Sequence, residues 1–425
     1  MLLMLRGLLA LVERIRKDDL TRHSAIMTSA GLVAGLLNYF YQLQMGHMLP
    51  RAEYGVLFSL LSLSAILGTV SQTFQNATSR FTSTFRVQGS LGKIRTMWMF
   101  FLVRTLLLGV LLFLALALIT PVMSHFLNLD DWRCFLVLCA SLVLGFALPV
   151  NQGLLLGLQR FLPLGICQVL MPLIKVVLGA LLVYLGLGVN GGLLPLLVGS
   201  IVVFVVSSFF VRDVARVHGE RYEITGMWSY TGLTLLGILS FGLLMNVDVV
   251  MARHYLSPES AGDYSAMAVL GRMALYAPMG IGAAMFPKTS ELFEAGGDPH
   301  RAMRKAVLYT VIVGGTVLLG YCLFHGFVID FAFRGEYQFG LVDLLKYGLS
   351  MLLFAVSFLS MNYFLSVNQT KIAYVALATS LLLVALLAVF HSGVGQFVDV
   401  MLVCGAVSLL LILPFYVRDH KRYQS

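Results

Sequence analysis

Three ionisable residues lie where a bilayer interior is expected. Arg272, Asp248 and Lys175 each sit well inside long apolar stretches of the chain. A charged group in hydrocarbon costs several kcal/mol, so such groups face a partner or a cavity. A guanidinium stays charged and can grip phosphate oxygens bidentately. Arg272 follows Pro258 by 14 residues, about 21 Å of helix, which is near the midplane. A carboxylate such as Asp248, with Asn246, Asn362 and Asn368 as further oxygen donors, suits Na⁺ or can carry a proton. Equally, Asp248 can pair with Arg272 and pin two helices. Lys175 stands among Pro163, Gly165, Pro172 and Gly179, which predicts a helix break beside a cationic site. No Ser, Cys or His constellation offers a nucleophile, and no Gly-rich loop offers a phosphate cradle for ATP. Neither an enzyme nor a cofactor or metal site is expected.

The elements that carry these residues must be membrane helices. The 425 residues are 59% hydrophobic and 12% charged, half the charge of a typical soluble domain at about 25%. Apolar runs of 20 or more residues recur, the length that crosses a ~30 Å hydrocarbon core. Short alternating segments of a β-barrel are missing. Twelve spans are predicted near 24–48, 53–77, 97–120, 133–157, 161–186, 192–212, 229–252, 259–286, 304–328, 341–366, 371–391 and 397–417. Residues 1–22, apolar and then basic, predict an amphipathic helix on the membrane surface. The five cysteines are scattered, without metal-ligand spacing, and read as small apolar residues.

The net charge of +9 is no nucleic-acid signal, because it is sorted along the chain. Of the 29 Lys and Arg, 21 fall at the N-terminal side, on every second loop and at the C-terminus, five on the alternate loops and three inside spans. That bias places both termini in the cytoplasm.

A shift of 207 residues overlays the halves. Gly35-Leu-Leu37 falls on Gly242-Leu-Leu244, and His47, Leu49, Gly55 and Leu63 fall on His254, Leu256, Gly262 and Leu270. The repeat joins span 1 to span 7. With six spans per unit, both repeats share one orientation, a transporter arrangement with its site between lobes. The expected organisation is a surface helix (1–22), an N-lobe (23–213), a cytoplasmic linker (214–228), a C-lobe (229–417) and a cytoplasmic tail (418–425).

The turn Leu256-Ser-Pro-Glu-Ser-Ala-Gly262 with Tyr264, the Asn246-Val-Asp248 segment and the run Arg272…Pro278-Met-Gly280…Pro287-Lys-Thr-Ser290 resemble the polysaccharide transport and oligosaccharide flippase family of the multidrug/oligosaccharidyl-lipid/polysaccharide (MOP) exporter superfamily. The resemblance implies an all-α, V-shaped, MATE-like pair of parallel six-helix lobes in the plasma membrane. It implies translocation of an undecaprenyl-diphosphate-linked glycan by alternating access, in a pathway with glycosyltransferases and a glycan polymerase. Arg272 matches an arginine before a Pro-x-Gly that related lipid II flippases associate with the lipid diphosphate. Those relatives usually have fourteen spans and more arginines in spans 1 and 2, where this chain offers Arg80 alone.

Other candidates are graded by position. Arg80, at the inner end of span 2, can meet an anionic substrate or a headgroup. Arg104 reaches headgroups by snorkelling. Tyr39, Tyr41, Gln42 and Gln44 make span 1 polar, and Tyr with Gln suits sugars. His47, His125 and His254 read as interfacial. The competing readings are a multidrug cation antiporter of the same superfamily, a lipid II flippase, and a membrane glycan polymerase or ligase. The last would be expected to carry a large external loop, and none is present. A reporter fused after Ser425 is expected to be active only in its cytoplasmic form. Activity of an extracytoplasmic reporter at that position would mean an odd number of spans.

Overall fold

A computed structural model describes residues 19–220, 227–282, 285, 289, 292, 300–367, 369 and 371–424. Among these, the regular structure is helical, as a lipid solvent demands when every peptide group must be bonded within its own segment. The surface helix expected over 1–22 lies largely outside the described residues, as do Pro287, Lys288, Ser290, Asn368 and residues 221–226 of the linker.

In chain order the helices are α1 (Asp19–Met48), α2 (Arg51–Val87), α3 (Leu91–Leu118), α4 (Thr120–Phe126), α5 (Arg133–Gly157), α6 (Phe161–Leu182), α7 (Gly188–Phe210), α8 (Arg212–Arg216), α9 (Met227–Tyr255), α10 (Pro258–Gly271), α11 (Met273–Tyr276), α12 (His300–Phe333), α13 (Leu341–Ser366), α14 (Ile372–Val389) and α15 (Val394–Gln424). Each predicted span falls on helix. Even so, among the described residues nine helical stretches, not twelve, are long and apolar enough to cross a membrane. Three local features account for the difference. In α1 the polar residues Asn38, Tyr39, Tyr41, Gln42 and Gln44 lower the mean hydropathy. The eighth predicted span is interrupted at Arg272. Phe161–Phe210 counts as one run, although α6 and α7 are joined by a π turn, Val183–Leu187, whose Gly186 has φ 86°. Gly188 follows with φ 50°. These left-handed positions, open to glycine at no steric cost, reverse the chain, and α6 and α7 pack on each other. The break predicted beside Lys175 is therefore displaced. The helix runs on through Pro172 and leaves α-geometry about three turns later, at Val183.

The chain divides into two compact units. The first comprises 1–45, 70–121 and 131–231; the second comprises 46–69, 122–130 and 232–425. The sequence assigned all of 23–213 to one lobe, whereas 46–69 and 122–130 pack with the second half of the chain.

In the first unit a polar network ties three helices. Trp98 Nε1 of α3 donates to Asn151 Oδ1 of α5 at 2.9 Å, and Asn151 Nδ2 donates to Ser207 and Ser208 of α7 at 3.0 and 3.1 Å. Lipid supplies no hydrophobic drive between helices, so such bonds and close packing do the holding. Gly153 shows the packing: a Cβ there would stand 2.4 Å from the Gln75 carbonyl of α2. At one end, Arg160 clamps the start of the linker, bonding the Phe210 carbonyl at 2.7 Å and both oxygens of Asp213. That hydrogen bonding holds the Asp213 carboxyl below its ordinary range. Arg95 donates to the Ala215 carbonyl, and Glu220 N–H to the Gly92 carbonyl. Residues 212–220 thus belong structurally to the first unit.

In the second unit the repeat-equivalent glycines meet. A Cβ on Gly55 would lie 2.9 Å from Gly262 N, and one on Gly262 only 2.1 Å from the Arg51 carbonyl. The same crossing is fastened by Arg51 Nη1 to Asp263 at 3.3 Å, while Asp263 Oδ1 also accepts from Gln338 N–H at 3.0 Å. Close by, Tyr337 donates to the Gly46 carbonyl. Gly262→Ala is expected to lower stability by about 1–3 kcal/mol through overpacking against backbone, read as a lowered thermal midpoint in detergent. Gly35→Ala, where a Cβ meets nothing within 4 Å, is expected to leave the midpoint unchanged.

Candidate functional site: two buried ionic clusters

Span eight is predicted as one helix, but α10 stops at Gly271 and α11 resumes at Met273. At the junction Arg272 keeps helical dihedrals, and its carbonyl accepts both from Leu275 N–H, three residues on, and from Tyr276 N–H, four residues on. Pro278 then offers no N–H to Ala274 four residues earlier. The sequence therefore weakens the helix around Arg272. Gly271 adds a second effect. A Cβ there would be 2.3 Å from the Tyr347 ring, so its absence lets Tyr347 of α13 lie against the junction. Tyr321 of α12 also bonds this stretch, its hydroxyl donating to the Leu270 carbonyl at 2.6 Å.

Into this junction project four side chains, all essentially inaccessible. Arg272 Nη2 pairs with Asp248 Oδ1 of α9 at 3.0 Å. Asp248 Oδ2 accepts from Tyr264 at 3.0 Å and Tyr347 at 2.7 Å. Asp248 is 0% and Arg272 4% exposed, which makes this an ion pair in an apolar interior. The Phe58 ring lies 5.3 Å from the guanidinium carbon. The carboxylate is fully engaged. The guanidinium is not: its Nε is buried with no hydrogen-bond partner. Chemically, the cluster is a cation held by one counterion and retaining an unused donor, which is a site that can exchange a carboxylate for a phosphate oxygen.

The amide groups expected around Asp248 are elsewhere. Asn246 Nδ2 donates to the Gly242 carbonyl and Asn362 Nδ2 to the Phe358 carbonyl, each on its own helix at 3.0 Å. Asn246 precedes Asp248 by two residues, so it points to a different face. Asn362 follows Tyr347 by 15 residues on α13, about 22 Å along the axis, and so is not a neighbour of Asp248. The groups that do surround Asp248, Tyr264 and Tyr347, were not assigned to it from sequence. Tyr264 was visible only as part of a motif, and Tyr347 comes from 99 residues away.

The second cluster lies in the first unit. Lys175 Nζ donates to Asn38 Oδ1 at 2.8 Å and stands 4.7 Å from the Tyr41 ring centre. Tyr41 is buried and donates to the Gly192 carbonyl of α7 at 2.5 Å. Gly179 makes the contact feasible, because a Cβ there would press on the Tyr41 ring at 3.0 Å. Asn38, Tyr41 and Met45 follow helical spacing on α1, and this stripe faces α6. Tyr39 and Gln42 are half-buried; Gln42, four residues from Asn38, is on the same side of the helix. Asn38 was missed in the sequence; its spacing of three from Tyr41 was the available signal. Arg80 is exposed, and Arg104 lies over the Phe100 ring at 4.0 Å. Among the described residues no group of His, Cys, Asp or Glu could hold a metal.

The long apolar helices define a multi-pass membrane protein with an all-helical fold. Three solved structures share that fold. An inward-facing multidrug resistance MATE-family transporter of the MOP superfamily superposes with a TM-score of 0.76 at 15% identity, covering 94% of this chain and 99% of its own. The lipid II flippase MurJ, in an inward closed conformation, matches at 0.71 and 15%, covering 93% and 87%. A MOP-superfamily transporter from Pyrococcus furiosus, described as having a binding pocket of reverse polarity, matches at 0.66 and 14%, covering 95% and 96%. No curated protein matches the sequence significantly. Residues 45–339 match the model of the polysaccharide biosynthesis protein family, and the chain belongs to that family.

Breaking the buried pair from one side is expected to cost about 3–5 kcal/mol, because a charge is left uncompensated. Asp248→Asn should therefore lower the thermal midpoint in nanodiscs strongly. Asp248→Leu combined with Arg272→Met should recover much of that loss, and a double-mutant cycle measures the coupling.

Proposed function

We propose that the protein is a flippase carrying an undecaprenyl-diphosphate-linked oligosaccharide from the inner to the outer leaflet of the plasma membrane, by alternating exposure of its site to the two faces. Membership of the polysaccharide biosynthesis family supports the glycan pathway. The transporter fold supports movement rather than synthesis. The observation that carries the reading is Arg272. It is a permanent cation at an interrupted span, with one carboxylate partner and one buried donor unused.

A diphosphate has the charge and the paired oxygens to displace Asp248 from that guanidinium. The displaced Asp248 would still hold the hydroxyls of Tyr264 and Tyr347. It would then be free to take up a driving cation, Na⁺ or H⁺, so that binding of the lipid and of the ion are linked at one carboxylate. Lys175, with an amide oxygen and an aromatic face but no carboxylate among its contacts, is a second cation for the glycosyl-diphosphate. Tyr41, Tyr39 and Gln42 on α1 are candidates for sugar contacts, and Arg80 for the cytoplasmic entry. The cell would supply the substrate from glycosyltransferases and pass the product to a glycan polymerase.

A cationic drug would compete for Asp248, but both oxygens of that carboxylate are taken. The geometry therefore favours an anionic substrate over the antiporter reading.

Cells lacking the protein are expected to accumulate an undecaprenyl-diphosphate-linked glycan and to lose the corresponding surface polymer. Arg272→Ala and Lys175→Ala, at normal expression, should reproduce that accumulation, with Arg272→Lys intermediate because it keeps charge without the bidentate fork. Retention of export in both alanine variants would overturn the diphosphate site. In vesicles, transport should respond to a Na⁺ or pH gradient, and Asp248→Asn should abolish the response. A transport rate indifferent to both gradients would remove ion coupling from the scheme.

A further inference from the structure

Two contacts at the ends of spans are built alike. Helix bonding stops where α4 ends at Phe126, and the end of α9 takes up the next carbonyls. His254 Nδ1 donates to the Phe126 carbonyl at 2.7 Å. Arg253 donates from Nε to the Leu127 carbonyl at 2.9 Å and from Nη2 to the Asn128 carbonyl at 2.6 Å. The His254 ring stacks on Phe126 with centroids 4.0 Å apart. Arg253 is buried, a cation that the Arg272 site does not use. Asn128 bends the chain with φ 47°. The 207-residue repeat leads to the second contact. Phe126 and Asn128 fall on Phe333 and Gly335, while Gly46 and His47 fall on Arg253 and His254. Phe333 ends α12 and fills the notch at Gly46, where a Cβ would stand 2.6 Å from its ring. Gly335 turns the chain with φ 69°. Tyr337 donates to the Gly46 carbonyl at 3.1 Å, and Tyr54 meets the Phe333 and Tyr337 rings edge-on. Each time, the turn after the third span of one repeat grips the end of the first span of the other. One grip is cationic and the other aromatic. All these residues lie in the second unit, although the chain at 121 and 131 belongs to the first.

We infer that these paired clasps are the outer gate: they hold shut the face that the charge sorting assigns to the outside, and both part when substrate leaves Arg272 by that face. The inference rests on the flippase reading above. The chemistry of the bonds points to a gate rather than to permanent packing. They join side chains to turn carbonyls, groups that water satisfies once the clasp opens, so parting strands no polar group in an apolar interior. Alternating access rocks one repeat against the other. Contacts equivalent under the repeat therefore break and form together, whereas a single latch would leave the other side held.

The test reads access to the buried cluster from each face. Full-length protein carries Cys322→Ser, which removes the exposed native cysteine, and Phe58→Cys as a reporter beside the Arg272 guanidinium. A membrane-impermeant maleimide is applied to intact cells and, separately, to inside-out vesicles. Arg253→Met keeps the bulk and loses both carbonyl bonds. It is expected to raise labelling from outside about tenfold, the population shift that follows loss of a charge-assisted bond. Tyr337→Phe, which loses only the bond to Gly46, should raise it less. In the converse experiment Phe126→Cys and His254→Cys are joined by a short reducible bis-thiosulfonate linker. Lipid-linked glycan should then accumulate as in cells lacking the protein, and reductant should restore export. If Arg253→Met fails to fold, Tyr337→Phe and the cross-link decide. Unchanged outside labelling in the folded variants, a rise from the cytoplasmic face instead, or normal export by the cross-linked protein would overturn the gate and leave the flippase reading standing. If cells lacking the protein accumulate no lipid-linked glycan, the flippase reading falls, and the labelling still decides the gate.

Discussion

A guanidinium in hydrocarbon needs a counter-charge, and much of the second unit is arranged to supply one. Asp248 must be on α9, at the depth of Arg272, with its second oxygen satisfied. Tyr264 and Tyr347 do that from α10 and α13. The position of Tyr347 depends in turn on Gly271, which admits its ring, and Tyr321 bonds the Leu270 carbonyl beside it. Four helices are thus oriented by one ion pair. Pairs of this kind contribute little net stability against a well-packed apolar substitute, because both ions must be desolvated. Their value lies in what replaces the partner.

Glycine is the second recurring device. At Gly55, Gly262, Gly271 and Gly314 a side chain would collide with a neighbour at 2.9 Å or less. Each lies in the same unit as the ion pair. The opposite case is Gly35, where a Cβ would meet nothing within 4 Å. Both kinds of glycine look alike in sequence, and only the packed structure separates them.

The helical architecture was legible because lipid leaves few alternatives, and apolar length marks the helices. The buried charges were legible for the same reason. What surrounds them was not. Tyr347 contributes to the Asp248 cluster across 99 residues, and tyrosine in an apolar helix is unremarkable as a letter. Asn362 looked like an oxygen donor by type, but one dimension hides that it stands about 22 Å along its helix from Tyr347. Asn38 shows the reverse error, since attention went to Tyr39 and Gln42, whereas the amide that meets Lys175 is Asn38. The hinge expected beside Lys175 was inferred from proline content, whereas the positive φ values of Gly186 and Gly188 mark the real departure.

The meeting of Gly55 with Gly262 has a bearing on ancestry. These residues are equivalent under the 207-residue repeat, and each notch receives the backbone of the other's turn. A patch that is complementary to its own copy is the hallmark of an isologous contact between identical subunits. If the repeat arose by duplication, its ancestor already carried a surface able to bind a twin. Fusing two such copies into one chain would make a symmetric dimer permanent and leave each half free to diverge, one keeping the arginine and the other the lysine.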